Sequence, residues 1–171
     1  MDESSFHAVV STLLSQLGVE DRIAPDGGDV FTVSVGPVDI ELVGSQPGFI
    51  NFLCFPGDLQ TPSVESLSLL LASNRYQEAD PVITVSLLDT TPAKVSIWSR
   101  LPLSQADPSN VANLFVRFTE LAHATQNWIN AGSPGLKNDG ALAEPGKQEV
   151  TGSVVRRAQD AGDPSSTQAG T

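Results

Sequence analysis

The sequence predicts an α+β domain in the order α-β-β-β-α-β-β-α, its strands forming one twisted antiparallel sheet with helices packed on it. Three observations carry this reading. Three segments repeat apolar residues at helical spacing, and five others are short apolar or alternating runs of strand length. Neighbouring strand segments are joined by connections of hairpin length, which suit antiparallel pairs and are too short for parallel ones. No segment repeats at a fixed period, so a solenoid or propeller is not indicated.

The first helix is expected over Ser5 to Leu17, where Phe6, Val9, Val10, Leu13, Leu14 and Leu17 share a face, with Ser4 or Ser5 as cap and Gly18 as stop. In DVFTVSVG, Phe31, Val33 and Val35 alternate with Val30, Thr32 and Ser34. Gly36-Pro37 then turns the chain into VDIELV, where Val38, Ile40 and Leu42 alternate with Asp39 and Glu41. A third strand, Phe49 to Phe55, is apolar on both faces except at Asn51, so it is expected to be central or covered on both sides, with Pro56-Gly57 ending it. Thr61-Pro62 reads as the cap and first-turn proline of a second helix that carries Val64, Leu67, Leu70 and Leu71 to about Asn74. PVITVSLLD supplies the fourth strand, Asp89 to Pro92 the turn, and AKVSIWSR the fifth, with Val95 and Ile97 opposite Lys94, Ser96 and Trp98. Asp107-Pro108 opens a third helix lined by Val111, Leu114, Phe115, Phe118, Leu121, Ala122 and Trp128 and ending near Asn130.

At 171 residues the chain is expected to hold one folded domain, residues 1–130, followed by a disordered C-terminal tail, residues 131–171. The tail has seven Gly, three Pro, no aromatic and no Ile, too little apolar area to offset its ordering entropy, although a short helical turn is conceivable around Val150 to Ala158. Of the formal net charge of −11, −10 falls on the domain, where 15 acids face 5 bases. Phosphate backbones and anionic membrane surfaces are therefore poor partners. The longest purely apolar run, Leu69 to Ala72, is far too short to insert in a membrane, and the amino terminus lacks the basic start of a secretory signal, so a cytosolic protein is expected.

An acidic domain can still be an enzyme, so the residues able to carry catalysis matter. No GxxxxGK[ST] or GxGxxG run opens a helix. His7 and His123 lie on different helices without an i, i+4 partner, and the single Cys54 cannot by itself build a zinc site. Cys54 paired with a histidine would be a nucleophile, but its place between Leu53 and Phe55 in an apolar strand favours an inert packed thiol. Asp39 and Glu41 share one face of a strand, as a glycosidase pair would, yet a solvated outer face explains them more simply. Asp26 and Asp29 lack the further ligands of a calcium loop. No metal and no cofactor is expected.

Two stretches in this order, LSLLLASNRY (67–76) and VSIWSRLPLSQADPSNVANLFVRFTELAHATQNW (95–128), resemble class I type III secretion chaperones, the CesT-like (Tir chaperone) family. The first is similar to that family's leucine-rich end of the second helix followed by Asn, the second to its strand, Leu-Pro-Leu turn and closing helix with a late Trp. The resemblance spans residues 4–130 and does not extend to the tail. It implies a non-enzymatic, cytoplasmic bacterial homodimer that binds the N-terminal segment of a secreted effector protein and keeps it soluble and export-competent. A secretion-apparatus ATPase is a further partner it suggests.

Mapped by the same resemblance, Leu67, Leu70, Leu71 and Asn74 are dimer-interface candidates, and Val10, Leu14, Phe49, Leu53 and Phe55 are effector-binding candidates. Each of these apolar residues has an ordinary core role as its alternative. A different class of function also fits the layout: a small acidic adaptor or sensory module that binds a folded protein partner.

Overall fold

The computed structural model describes residues 3–18, 29–74, 80–134 and 152–155. Its elements are α1 (Glu3–Gln16), β1 (Val30–Val35), β2 (Val38–Val43), β3 (Phe49–Leu59), α2 (Val64–Ser73), β4 (Ile83–Leu88), β5 (Ala93–Pro102), a 3₁₀ turn (Leu103–Gln105), α3 (Pro108–Asn130) and β6 (Gly152–Val155). All sheet pairings are antiparallel, in the order β4-β5-β3-β2-β1-β6. The expected α+β layout is present, with β5 inserted between β3 and β4.

The period of two in each strand sorts side chains onto two faces. Val33 lies opposite Ile40, Ile40 opposite Cys54, and Cys54 opposite Ile97, so these residues form one row across the sheet. That row is buried, as are Phe31, Leu42, Phe52 and Leu101. The helices α1 and α3 cover it. Phe6 of α1 packs on Phe31 with ring centroids 5.7 Å apart, and Phe118 of α3 packs on Phe52 at 5.8 Å. A Cβ on Gly44 would fall 2.5 Å from the Phe6 ring, so glycine there lets α1 approach the end of β2.

Helix boundaries follow local chemistry. Gly18, at φ +70°, ends α1 in the left-handed region, as expected. The start of α2 differs from the sequence expectation: the cap is Ser63, not Thr61. The Ser63 hydroxyl accepts from Ser66 N at 3.1 Å, while Ser63 N donates to the Ser66 hydroxyl at 2.8 Å, a reciprocal box that Thr61-Pro62 lies too early to make. Asp107 caps α3 as expected, accepting from the amides of Ser109 and Asn110 at 3.0 Å each, with Pro108 in the first turn. The Ser109 hydroxyl, together with these amides, holds the Asp107 carboxyl below the usual carboxylate range. Far along α3, His123 Nε2 lies 2.8 Å from the Val35 carbonyl and Gln126 donates to the Pro37 carbonyl at 3.1 Å, pinning the β1–β2 hairpin to the helix.

Two further expectations need correction. Pro56-Gly57 does not end β3. The register shifts between Cys54 and Gly57, a bulge that accommodates the missing proline N–H, and pairing with β5 resumes through Leu59. In the tail, residues 152–155 are not part of a helical turn: they form β6, antiparallel to β1, where a β-branched Val-Val pair meets an otherwise open sheet edge. The rest of the expected disordered tail, beyond residues 131–134, lies outside the described residues.

The opposite edge, β4, is treated differently. Asn74, the C-cap of α2, donates its carboxamide N–H to the Val85 carbonyl at 2.6 Å and accepts from Val85 N at 2.8 Å. The side chain thus presents to β4 the donor and acceptor that another strand would present. We expect Asn74→Ala to lower stability by about 1 kcal/mol, the typical net worth of such pairing. Urea unfolding should show the same loss at dilute and concentrated protein, because the contact lies within one chain.

Candidate functional site

The same registers that build the core define the face turned away from α1 and α3. Opposite one another on it stand Leu53 and Trp98, then Trp98 and Thr84; Asn51 and Arg100 form the next row, and Phe49 and Pro102 the row after that. Glu41 flanks Leu53 on β2, and Lys94 stands between Asp58 and Leu88. Trp98 is 43% exposed and Phe55 41%, while Phe49 and Leu53 are half-buried. These are large values for aromatic side chains in the interior strands of a sheet. The result is an apolar strip along β3 and β5, extended toward the β4 edge by exposed Leu88.

Cations sit over this strip. Lys94 Nζ lies 5.6 Å from the Phe55 ring centroid, and the Arg100 guanidinium lies 5.0 Å from that of Phe49. Asn51, the polar exception in β3, positions one of them: its side chain donates to the Val43 carbonyl at 3.2 Å and accepts from Arg100 Nε at 3.1 Å, holding the guanidinium over the ring. The acids Asp39 and Glu41 belong to the neighbouring outward row of β2, with Asp39 accepting a hydrogen bond from the Ser34 hydroxyl. They border the apolar strip, Glu41 standing opposite Leu53.

The effector-binding candidates therefore divide. Phe49, Leu53 and Phe55 lie together on the outer face. Val10 and Leu14 do not: both are fully buried between α1 and the sheet and have no surface to offer a partner. Their helical spacing marked an apolar face of α1 without saying which layer it would meet. Trp98 was missing from the candidates although its alternation with Val95 and Ile97 already placed it on this face. Of the two alternatives expected for β3, the central position is the one present, between β5 and β2, and its outer row stays partly open.

The dimer candidates divide as well. Leu71 is 73% exposed and Leu67 37%, and with Val64, 75% exposed, they follow one another at i, i+3 and i+7 along a single side of α2. Leu70 instead turns into the core, and Asn74 is engaged with β4.

Cys54 is buried on the helix-covered face, and burial, reinforced by the negative charges of Asp39 and Glu41, pushes its thiol up to about 12. It stays protonated at neutral pH and cannot serve as a thiolate. His7 packs edge-on against Phe6 and Phe31, and His123 is held by Val35. Among the described residues no group of three or more His, Cys, Asp or Glu side chains could hold a metal ion, and no helix is long and apolar enough to cross a membrane.

The architecture is that of type III secretion chaperones. The chain is similar to the Yersinia pestis type III secretion chaperone SycH, solved in complex with a stable fragment of YscM2, with TM-score 0.56 and 16% identity over 70% of this chain and 98% of that one. The ExoT–SpcS complex from Pseudomonas aeruginosa contains a chain with TM-score 0.55 and 14% identity, covering 72% of this chain and 98% of its own length. YbjN, a putative transcription regulator from E. coli, shares the fold at TM-score 0.53 and 16% identity, covering 77% and 96%. No protein-family model matches the sequence, and no curated protein is similar to it.

The environment of Cys54 yields a direct expectation. In native protein at pH 8 the thiol should be unreactive toward a disulfide reagent for as long as the fold persists, and one equivalent should react on unfolding in guanidinium. Rapid labelling of folded protein would show that β3 is open where the structure packs it.

Proposed function

We propose that this protein is a type III secretion chaperone that captures the non-globular N-terminal region of a secreted protein on the outer face of its sheet. The observation that supports this most is the strip of Phe49, Leu53, Phe55 and Trp98, left open while Phe6, Phe31, Phe52, Phe115 and Phe118 are buried. Such a strip suits an extended chain, whose alternate side chains can be laid along β3 and β5. The shared fold and the resemblance of residues 67–76 and 95–128 point the same way. A homodimer through α2 completes the reading, with Val64, Leu67 and Leu71 as the interface row and Leu70 as its internal support. The strongly acidic domain keeps such a protein soluble between clients.

Because YbjN, which is not described as a chaperone, has the same fold, a second reading is kept: an adaptor that docks a folded partner on the same strip. The two differ in what must be bound. For a chaperone, the isolated N-terminal segment of the co-purifying partner, unfolded by itself, binds with a negative heat-capacity change and keeps its affinity at raised salt. The double variant Phe55→Asp/Trp98→Asp should weaken that binding at least roughly tenfold, from about 1.5–3 kcal/mol per buried aromatic, with little change in melting temperature. Unchanged affinity would remove this face from the reading, and binding that requires a folded partner would favour the adaptor.

Assembly is tested separately. Light scattering should give about twice the chain mass of 18.0 kDa at micromolar concentration. Leu71→Asp should yield a folded monomer, whereas Leu70→Asp should unfold the chain because that side chain is buried. A monomeric wild-type protein at all accessible concentrations would rule out the dimer.

A further inference from the structure

On the outer face of β3 and β5 the side chains stand in rows two residues apart: Phe49 with Pro102, Asn51 with Arg100, Leu53 with Trp98. A polar pair therefore lies between two apolar ones. On its other side Asn51 meets Val43 of β2, so the row Val43, Asn51, Arg100 holds a single charge, and that charge is positive.

The described residues include three basic side chains, Lys94, Arg100 and Arg117, and they are engaged differently. Arg117 Nη2 donates to the Pro81 carbonyl at 3.1 Å, and Lys94 has the carboxylate-bearing Asp58 directly opposite it. The partners of Arg100 among the described residues are both neutral: Asn51 Oδ1, 3.1 Å from Nε, and the Phe49 ring. Asn51 is itself tied to the Val43 carbonyl at 3.2 Å, so it braces the guanidinium at one corner. The two terminal nitrogens carry neither of these hydrogen bonds. A guanidinium held through Nε with its terminal nitrogens open is set for end-on, bidentate pairing with a carboxylate.

We infer that Arg100, braced by Asn51, is a specificity-determining residue of the strip and binds one side-chain carboxylate of the captured segment. An extended chain repeats its same-side side chains about every 6.6 Å, the spacing of the rows beneath it. An acid over Arg100 therefore brings the side chains two positions before and after it over Phe49 and over Leu53 and Trp98. The segment that fits reads apolar, any residue, Asp or Glu, any residue, apolar. A slip of two residues would set the carboxylate over an apolar row without a partner, so the pair fixes register as well as sequence. Elsewhere the segment is neutral or basic, because a domain with fifteen acids against five bases repels further negative charge. On binding, a short turn about the braced Nε takes the guanidinium off the Phe49 ring and frees that ring for the client's apolar side chain. The inference rests on the reading of the strip as the capture surface and adds to it the chemistry of the client.

The test titrates the full-length chain with two synthetic peptides, one with Leu-Thr-Glu-Thr-Leu at its centre and Gly-Ser repeats at both ends, the other identical but with Gln in place of Glu. Wild-type protein should bind the Glu peptide about fivefold more tightly, the upper end of what an exposed ion pair supplies. In Arg100→Gln the ratio of the two affinities should fall to about one or below, with a melting temperature within a few degrees of wild type because the side chain is exposed. Arg100→Lys, which keeps the charge and loses the fork, should retain part of the preference, and Asn51→Ala should lower it while leaving the charge in place. Equal affinity of wild type for both peptides would overturn the inference, as would a preference that survives Arg100→Gln. The two readings fail separately. Equal binding of both peptides that is abolished by Phe55→Asp/Trp98→Asp would keep the strip as the capture surface and remove Arg100 from its specificity, whereas no binding of either peptide to wild type would overturn the strip and this inference with it.

Discussion

A single helical layer covers a sheet whose central strand, β3, is largely apolar on both faces and meets Trp98 of β5 on the uncovered side, and most of what distinguishes this molecule follows from that mismatch. In β3 and β5 the period of two is unavoidable: once Phe52, Cys54 and Ile97 face α1 and α3, Leu53 and Trp98 must face away. A one-residue register slip would exchange the two rows and leave the same difficulty. A domain meant to stand alone with one layer of helices would carry polar residues on that outer row, as β1 and β2 do with Thr32, Ser34, Asp39 and Glu41. The open strip is thus a property of the strands themselves and requires no loop or moving part.

Edges pose the second constraint, since an open sheet ends in unpaired backbone groups that attract other chains. The two solutions here differ in permanence. Asn74 is held as the C-cap of a capped helix, and releasing it from Val85 would disturb the end of α2. By contrast, β6 enters the sheet after a stretch of residues rich in Gly and Pro and, among the described residues, pairs with β1 alone. One edge is therefore built into the fold and the other is closed by a segment that arrives late in the chain.

Much of this was legible in the residues. The alternation in 30–35, 38–43 and 95–98 assigned faces correctly because each strand has one row that must be dry, and Asp107-Pro108 marked the start of α3 because a carboxylate and a proline both suit the first turn. Local signals failed where two candidates lay close together, as with Thr61-Pro62 and Ser63, or where a breaker was absorbed as a bulge, as at Pro56. The site was half legible for a deeper reason. Periodicity shows that Val10, Leu14, Leu53 and Leu70 belong to apolar rows, but only the layer order decides that the first two and Leu70 meet the core while Leu53 meets the outside. β6 was illegible because its strand character depends on an edge more than a hundred residues away in sequence.

Fold alone does not separate this chain from its structural neighbours, which carry different roles on the same layout. The surface does more. Residues 1–130 contain only five bases against fifteen acids, and two of those five, Lys94 and Arg100, lie over the rings of Phe55 and Phe49. In a domain so short of cations this placement is informative. A solvated ammonium or guanidinium shields a ring face from water at modest gain, roughly 0.5–1 kcal/mol when exposed, and its flexible stem lets it swing aside. The aromatic strip can therefore stay soluble when empty and still present its rings when an apolar chain arrives. A permanent hydrophobic cover would give greater stability but would close the only large apolar surface that the sheet leaves open among the described residues.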